Sequence, residues 1–538
     1  MGHGAAGGYT HRQVLKILSG LLMAMITAVI STSVTTIALP TIMGELGGQE
    51  QLAWVASAPL LAMTASTPLW GRLSDIFGRK RMYQTALLLF TASSIAAGLS
   101  QNVGQLIAFR ALQGMGAGGA MALTQVILGD IVEPRQRGRY SGYLGAAYGL
   151  STVTAPLLGG FLVDAPRLGW RWCFFVTVPL ALAALAITQW TLHRPPRETG
   201  RARPKIDWAG AVTITGAAST ALIVLSLGGK EFPWNSPWTY GLTALTLVLL
   251  GAAVAAERRA AAPILPPRLF ADRTFVLASA ASLMVGVGMF GVMTYLPQYL
   301  QVVQGMTPTV SGLLALPMTI GVLLGSTVSG QVAARTGRWK MFPVTGTALL
   351  AAGMFLLSRL QVDSGPVAVG IGCGTAGLGL GMTMTMLVLA TQNAADRADM
   401  AAATSGVTFF RSMGGAVGVA ALGAVLTARL TAALTERLRA ARLPVPERVG
   451  TGLGTPEEIH ALPEPLRGLL LASFTEAVQA AFLVGVPIAL AGLAAALALK
   501  ELPLRTSSAP AEDRRPPAAA APPADAGRAA GAVSHRRT

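Results

Sequence analysis

The residues of this sequence that could do chemistry are concentrated in one polar stretch, residues 71–81, which lies between two apolar runs. Its sequence is GRLSDIFGRKR, with an acid set four residues before three consecutive cations. A carboxylate at a helix end can accept hydrogen bonds from a neighbouring helix N-terminus and can pair with an arginine. The pattern predicts a conformational latch or, alternatively, a simple topology anchor. The residues assigned to the latch are Gly71, Asp75, Gly78, Arg79 and Arg139.

Two further cations, Arg110 and Arg411, fall inside long apolar runs. A charged side chain at the centre of a bilayer costs roughly 2.5–3.5 kcal/mol on insertion scales, so both arginines must face the protein interior and have partners. Gln113 lies one turn from Arg110 on the same helical face. We predict that these three residues serve proton coupling or line a cavity. The alternative is that the arginines are structural donors to backbone carbonyls.

Acidic residues are missing from the middle of every apolar run, although Glu476, near the end of one run, could still carry a proton. A lipophilic cation needs a buried carboxylate to compensate its charge. Any cavity in this chain should therefore suit neutral or anionic amphiphiles better than cations.

The remaining polar residues exclude several classes of chemistry. The sequence has no nucleophile–base set, no histidine cluster with metal-ligand spacing and no Gly-x-x-x-x-Gly-Lys-Ser/Thr loop, so we expect no enzyme activity, no metal and no cofactor. A net charge of +17 would suggest nucleic acid in a soluble protein. Here the cations flank apolar runs, as membrane topology requires, so we expect a lipid bilayer and no nucleic acid as partner.

These residues must be positioned by helices in a membrane. Of 538 residues, 52% are hydrophobic and only 12% are charged, against roughly 25% charged in soluble domains. Runs of about 20 apolar residues predict membrane-spanning helices. Fourteen spans are predicted, at residues 14–40, 52–71, 82–100, 105–129, 139–163, 170–192, 207–227, 238–256, 274–301, 308–333, 340–360, 365–392, 402–428 and 474–499.

The distribution of cations predicts the orientation. When alternate loops are assigned to one side, the side of residues 71–81 collects about 29 of the 41 lysine and arginine residues. Because the number of spans is even, both termini are predicted to be cytoplasmic. Residues 1–12 and 501–538 are predicted to be disordered tails, and residues 429–473 a long extracytoplasmic loop.

The chain contains an internal repeat. Residues 330–340, with the sequence GQVAARTGRWK, match residues 71–81 at both glycines and at Arg338, but Ala334 replaces the acid. The second copy lies between spans 10 and 11, as the first lies between spans 2 and 3. Spans 9–14 therefore repeat spans 1–6, with spans 7 and 8 inserted. Two parallel six-helix halves related by an axis along the membrane normal are typical of rocking transporters.

Further motifs follow in order along the predicted spans. They are RALQGMG at residues 110–116, WRWCFF at 170–175, DWAG at 207–210, LPQYLQ at 296–301 and FRSMGG at 410–415. Together with residues 71–81, they resemble the major facilitator superfamily, and within it the fourteen-span drug:proton antiporter subfamily, over nearly all of residues 14–499.

The resemblance also exposes two departures. Span 1 of the family carries an acid and an amide before Ala-Leu-Pro, and this chain has Ser31 and Thr36 at those positions. In family exporters a Gly-Pro followed by Gly-Gly on span 5 forms a seam that limits proton leak. This chain keeps Pro156, Gly159 and Gly160 of that seam.

The resemblance implies an all-α membrane protein with the major facilitator fold. An N-terminal bundle at residues 13–193 and a C-terminal bundle at 274–500 would be related by a pseudo-twofold axis and joined by a linker at 194–273 that holds spans 7 and 8. The implied function is a monomeric, proton-coupled exporter of drugs, antibiotics or related small amphiphiles, working by alternating access in a bacterial inner membrane. The alternatives are an exporter of one endogenous metabolite or lipid and a non-transporting membrane sensor.

Overall fold

The computed structural model describes residues 10–46, 51–132, 140–162 with gaps, 169–192, 207–228, 232–260, 263–396, 399–443 and 459–504. The regular elements in these ranges are helices: α1 His11–Leu46, α2 Leu52–Phe77, α3 Arg79–Gly98, α4 Val103–Ile131, α5 Trp172–Phe175, α6 Thr177–Thr191, α7 Trp208–Leu227, α8 Pro237–Arg259, α9 Pro267–Ala271, α10 Arg273–Val302, α11 Pro308–Leu314, α12 Leu316–Thr336, α13 Met341–Leu357, α14 Pro366–Ala394, α15 Met400–Ala440 and α16 Leu466–Ala498. The described residues between 140 and 162 are helical too.

Helical segments occupy all fourteen predicted positions, with residues 140–162 at the fifth and the helix pairs α5–α6 and α11–α12 at the sixth and tenth. Ten helices within the described ranges are long and apolar enough to cross a membrane, judged by length and composition. The chain is therefore an all-α, multi-pass membrane protein, as the hydropathy pattern predicts.

The helices pack as two groups. In the first, α2 and α3 pack on α4, and α1 packs on α6; in the second, α12 and α13 pack on α14, and α10 packs on α15 and α16. Apolar side chains drive no association between helices within lipid, so close packing of small residues must do so.

Matching glycines confirm the internal repeat in space. A Cβ added to Gly118 of α4 would lie 2.7 Å from the carbonyl oxygen of Met63 on α2. A Cβ added to Gly381 of α14 would meet the carbonyl oxygen of Val322 on α12. The same positions of the two halves are thus glycine because the backbones of two helices touch there.

In both copies of the charged loop, the backbone changes direction at a glycine. Gly78 has φ of 92° and Gly337 has φ of 74°, backbone conformations that side chains with a Cβ rarely adopt. In each copy the next helix starts within a few residues, so α2–α3 and α12–α13 are equivalent hairpins.

The two loops lie at the same end of the molecule. The Trp339 indole nitrogen donates to the carbonyl oxygen of Leu502 at 2.9 Å, and Asn393 at the end of α14 donates to that of Pro503 at 3.1 Å. The neighbouring Gln392 reaches α4 of the first group. This chain of contacts connects the second loop to the helix ends around the first.

The structure corrects the predicted loop at residues 429–473. Helix α15 continues to Ala440, and α16 begins at Leu466. Buried Leu434 and Leu438 of α15 pack with Ile459 and Leu470. The segment was taken for a loop because it is polar, but its leucines recur at helical spacing and extend the packed core beyond the apolar span.

The predicted tails are shortened as well. Helix α1 begins at His11, where Thr10 and Gln13 bond each other's backbone amides as a helix cap. At the other end, residues 501–504 lie against the second loop. The remainder of both predicted tails, residues 1–9 and 505–538, falls outside the described residues.

Candidate functional site

The charged loop is closed by one guanidinium held between two carboxylates. Arg79, at the start of α3, donates from Nη1 to Asp75 Oδ1 at 2.5 Å and from Nε to Asp130 Oδ2 at 2.8 Å. Asp75 lies near the end of α2, and Asp130 near the end of α4. A single arginine therefore holds together three helix ends, all of them in the first bundle.

Two latch details differ from the sequence interpretation. Asp130 was not assigned to the latch, because nothing in the local sequence connects it with a residue 51 positions away. Arg139, proposed as a partner of Asp75, lies outside the described residues. The second cation near Asp75 is Arg72, whose Nη1 is 3.8 Å from Asp75 Oδ2.

Gly71 marks the contact between the two helix groups. A Cβ at this position would lie 2.8 Å from Ser405 Cβ and 3.1 Å from the carbonyl oxygen of Ala401, both on α15. Close by, the Gln392 amide donates to the Gln125 carbonyl oxygen of α4 at 3.4 Å and to Thr404 Oγ1 at 3.2 Å. The two bundles are therefore in contact at the end that carries the charged loop.

The segment between α8 and α10 bridges the same end. Glu257 accepts hydrogen bonds from the backbone amides of Ile264 and Leu265 at 3.1 and 3.0 Å. These residues pack with Leu69 of α2. The inserted helices therefore touch the first bundle beside the latch.

The segment between α8 and α10 also contacts the second bundle. Arg268 of α9 forms a two-pronged pair with Asp399, at 2.5 Å from Nε to Oδ2 and 2.7 Å from Nη2 to Oδ1. The bonds and the negative charge of Asp399 raise the pKa of Arg268 above its ordinary value. Because Asp399 directly precedes α15, the pair fixes the end of the helix that faces Gly71.

Arg110 is the centre of a buried polar network. Its side chain is 1% exposed, and its Nη1 donates to Gln113 Oε1 at 2.9 Å. The Gln113 amide in turn donates to Ser31 Oγ at 2.9 Å and to Ser94 Oγ at 2.8 Å. Three helices, α1, α3 and α4, therefore meet at Gln113. Within the described residues, the buried Arg110 Nε has no hydrogen-bond partner, so the network satisfies only part of the guanidinium.

One α1 residue beside Arg110 is Thr35. Arg110 Nη1 lies 3.5 Å from Thr35 Oγ1, while the side chain of Thr36 lies outside the described part of α1.

Arg411 and Glu476 lie apart from this network. Arg411, on α15, is half-buried and interacts electrostatically with Tyr148 of the first bundle. Glu476, on α16, is half-exposed and pairs with Arg437 at 2.8 Å, while Arg437 also donates to Ser473 at 2.9 Å. Of the charged and amide residues predicted from the sequence, Arg110 and Gln113 are thus hydrogen-bonded to each other, whereas Arg411 and Glu476 each lie at a separate position.

The predicted seam on the fifth span is only partly described. Gly159 is helical and buried. Pro156 and Gly160 lie outside the described residues.

Comparison with known proteins identifies the family. The family model described as Major Facilitator Superfamily matches residues 21–419. This chain belongs to the major facilitator superfamily. An uncharacterised MFS-type transporter of Mycobacterium tuberculosis is 37% identical over 500 residues, covering 92% of this chain and 71% of the relative. Multidrug resistance protein 3 of Bacillus subtilis is 30% identical over 485 residues, covering 89% and 93%.

A solved structure shows the same fold at low identity. The proton:xylose symporter XylE, with 6-bromo-6-deoxy-D-glucose bound, superposes with a TM-score of 0.58 at 13% identity, covering 90% of this chain and 95% of the symporter. As a major facilitator protein, the chain is a membrane transporter of small molecules and not an enzyme. The two bundles, the charged loop and its repeat are the parts of that transporter described above.

Proposed function

We propose that this chain exports drugs, antibiotics or related amphiphiles across a bacterial inner membrane in exchange for protons. The relatives support this substrate class, since the B. subtilis relative is named as a multidrug resistance protein. The cation distribution supports cytoplasmic termini and a cytoplasmic position for residues 71–81.

The observation that carries the proposal is the contact between bundles at one end. Gly71 touches α15, and Gln392 touches α4, on the side of the charged loop. With this side cytoplasmic, the contact closes the path from the cytoplasm, as alternating access requires of one of its two states. Breaking the contact would open the cytoplasmic side and let the substrate enter.

Arg79 stabilises the first bundle's side of this closed state. When the bundles rock apart, α2 and α4 move relative to α15, and the carboxylates of Asp75 and Asp130 keep the cytoplasmic ends of α2, α3 and α4 together as a unit. Gly71 then provides the surface against which α15 closes.

Proton coupling is assigned to the buried polar residues and to Glu476. Arg110 and Gln113 join three helices of the first bundle, so a change in their hydrogen bonding would be transmitted to all three. Glu476 is a half-exposed carboxylate paired with Arg437, and it can take up a proton when that pair opens. Binding of the proton and release of the substrate would then alternate.

The test is transport into inverted membrane vesicles with an imposed pH gradient, using a panel of chemically unrelated amphiphiles. Accumulation of several panel members that is abolished by a protonophore is expected. Arg110→Ala and Glu476→Gln should weaken the dependence on the gradient more than they weaken substrate binding. Accumulation that ignores the gradient would rule out proton exchange, and accumulation of a single compound would favour the dedicated metabolite exporter.

A further inference from the structure

The two arginines within the membrane-spanning helices differ in the hydrogen bonds that their guanidinium groups make. Arg110 is 1% exposed and bonded to Gln113 and Thr35 within its own bundle. The hydrogen bonds of its guanidinium are therefore made to side chains of the first bundle.

Arg411 differs from Arg110 in its side-chain interactions. Among the described residues it makes no hydrogen bond and no ion pair, and it keeps partial exposure near the middle of the apolar part of α15. The residue in electrostatic contact with it is Tyr148, which belongs to the other bundle. The Tyr148 hydroxyl donates to the sulfur of Met293 on α10 at 3.8 Å. Because the first and second bundles contribute to this group, Arg411 faces the space between them rather than lipid.

The backbone under Arg411 is rigidly placed. A Cβ on Gly286 of α10 would lie 3.0 Å from the Arg411 carbonyl carbon and 3.1 Å from the Gly415 amide nitrogen. Helix α15 is thus packed closely against α10, which fixes the backbone that carries the Arg411 side chain.

The charge of Arg411 has no acid to neutralise it at that depth. The sequence places no aspartate or glutamate near the middle of any span. An uncompensated cation in a medium of low dielectric attracts anions strongly, and a guanidinium can bind a carboxylate, sulfonate or phosphate through two parallel hydrogen bonds.

We propose that Arg411, with Tyr148 opposite, binds the anionic headgroup of an amphiphilic substrate in the space between the bundles. This inference rests on the proposed function, and it names the substrate class as amphiphilic anions. The apolar body of the ligand would lie along Met293 and Phe290 of α10, which are partly buried hydrophobic residues of that region.

The experiment compares pyrenebutyrate with its uncharged methyl ester as probes of the purified full chain, with binding followed by energy transfer from tryptophan to pyrene. The wild-type protein should bind the carboxylate more tightly than the ester. Arg411→Gln should raise the Kd of the carboxylate about tenfold while leaving that of the ester unchanged, and Arg411→Lys should lie between.

The matched control is Arg359→Gln. Arg359 stacks over the Phe355 ring at 5.2 Å at the end of α13 remote from the charged loop, so the same loss of charge there should change neither Kd. Equal binding of both probes by the wild type, binding of neither, or equal loss of both in Arg411→Gln would overturn the inference.

The vesicle assay separates the two proposals. Gradient-driven export of the panel without any preference for the carboxylate would leave the exporter standing and remove the Arg411 site. A preference for the carboxylate that depends on Arg411, without gradient-driven export, would leave the binding site standing and remove the proposed function.

Discussion

Gly71 of α2 and Ser405 of α15 touch so closely that a Cβ on the glycine would lie 2.8 Å from the serine Cβ. Each residue belongs to a different bundle, and Ser405 is fully buried. The signature loop of this chain thus begins with a residue whose lack of a side chain decides how near the two halves can come.

Gly71→Ala should therefore open the cytoplasmic side. Overpacking at a tight contact costs about 1–3 kcal/mol, and that cost applies only to the state in which the bundles touch. Spin labels on Arg81 and Arg338, in the equivalent loops of the two bundles, should report longer distances in the variant. Gly241→Ala is the control, because a Cβ there meets nothing within 4 Å. Unchanged distances in Gly71→Ala would contradict the role of this contact.

Asp75→Asn and Asp130→Asn should both weaken export, and Asp75→Asn more so. Asp75 is 15% exposed and accepts the shorter bond from Arg79, whereas Asp130 is 32% exposed. Losing a charged partner at a partly buried site costs about 1–3 kcal/mol. Export at matched surface expression is the measurement, with exposed Asp363→Asn as the control. Wild-type export by Asp75→Asn would refute the latch.

Gln113→Ala should destabilise the first bundle. Gln113 bonds Arg110, Ser31 and Ser94 at once, and each buried group left without a partner costs about 1–3 kcal/mol. Thermal unfolding in detergent, followed by tryptophan fluorescence, should show a lower Tm. Gln331→Ala, at an exposed position of α12, should leave the Tm unchanged. Equal Tm values for both variants would mean that the network contributes nothing to stability.

Much of this fold could be predicted from the sequence because a bilayer imposes a length and a composition on each helix. The repeat of residues 71–81 at 330–340 identified the two halves, and the spacing of Arg110 and Gln113 predicted their contact. These are local signals, carried by residues within one run or one helical turn.

The partners that sequence reasoning missed come from distant segments. Asp130 meets Arg79, and Gln392 meets Gln125, only after the helices have packed. The contact of Thr35 with Arg110 likewise joins α1 to α4, two helices that are distant in sequence. Polarity alone also misassigned residues 429–440 as loop, since it overlooked the leucines that bury one face of the extended α15.

Glu501 supplies the carboxylate that the second loop lacks in its own sequence. Ala334 stands where the first copy has Asp75, yet Glu501 Oε1 accepts the backbone amide of Trp339 at 3.0 Å and that of Lys340 at 3.4 Å. A negative charge at a helix N-terminus is worth about 0.3–1 kcal/mol at exposed sites. The residues after α16 therefore stabilise the start of α13.

Three variants should consequently lower the Tm in a defined order. Glu501→Gln keeps an acceptor but loses the charge, Glu501→Ala loses both, and truncation after Lys500 also removes the Leu502 carbonyl that accepts from the buried Trp339 indole. The Tm should fall least for the first and most for the last. A chain truncated after Leu504 is the matched control and should unfold like the full chain, because all of these contacts remain. If truncation after Lys500 left the Tm unchanged, the second loop would need no carboxylate, and the loss of the acid at Ala334 would have no structural compensation.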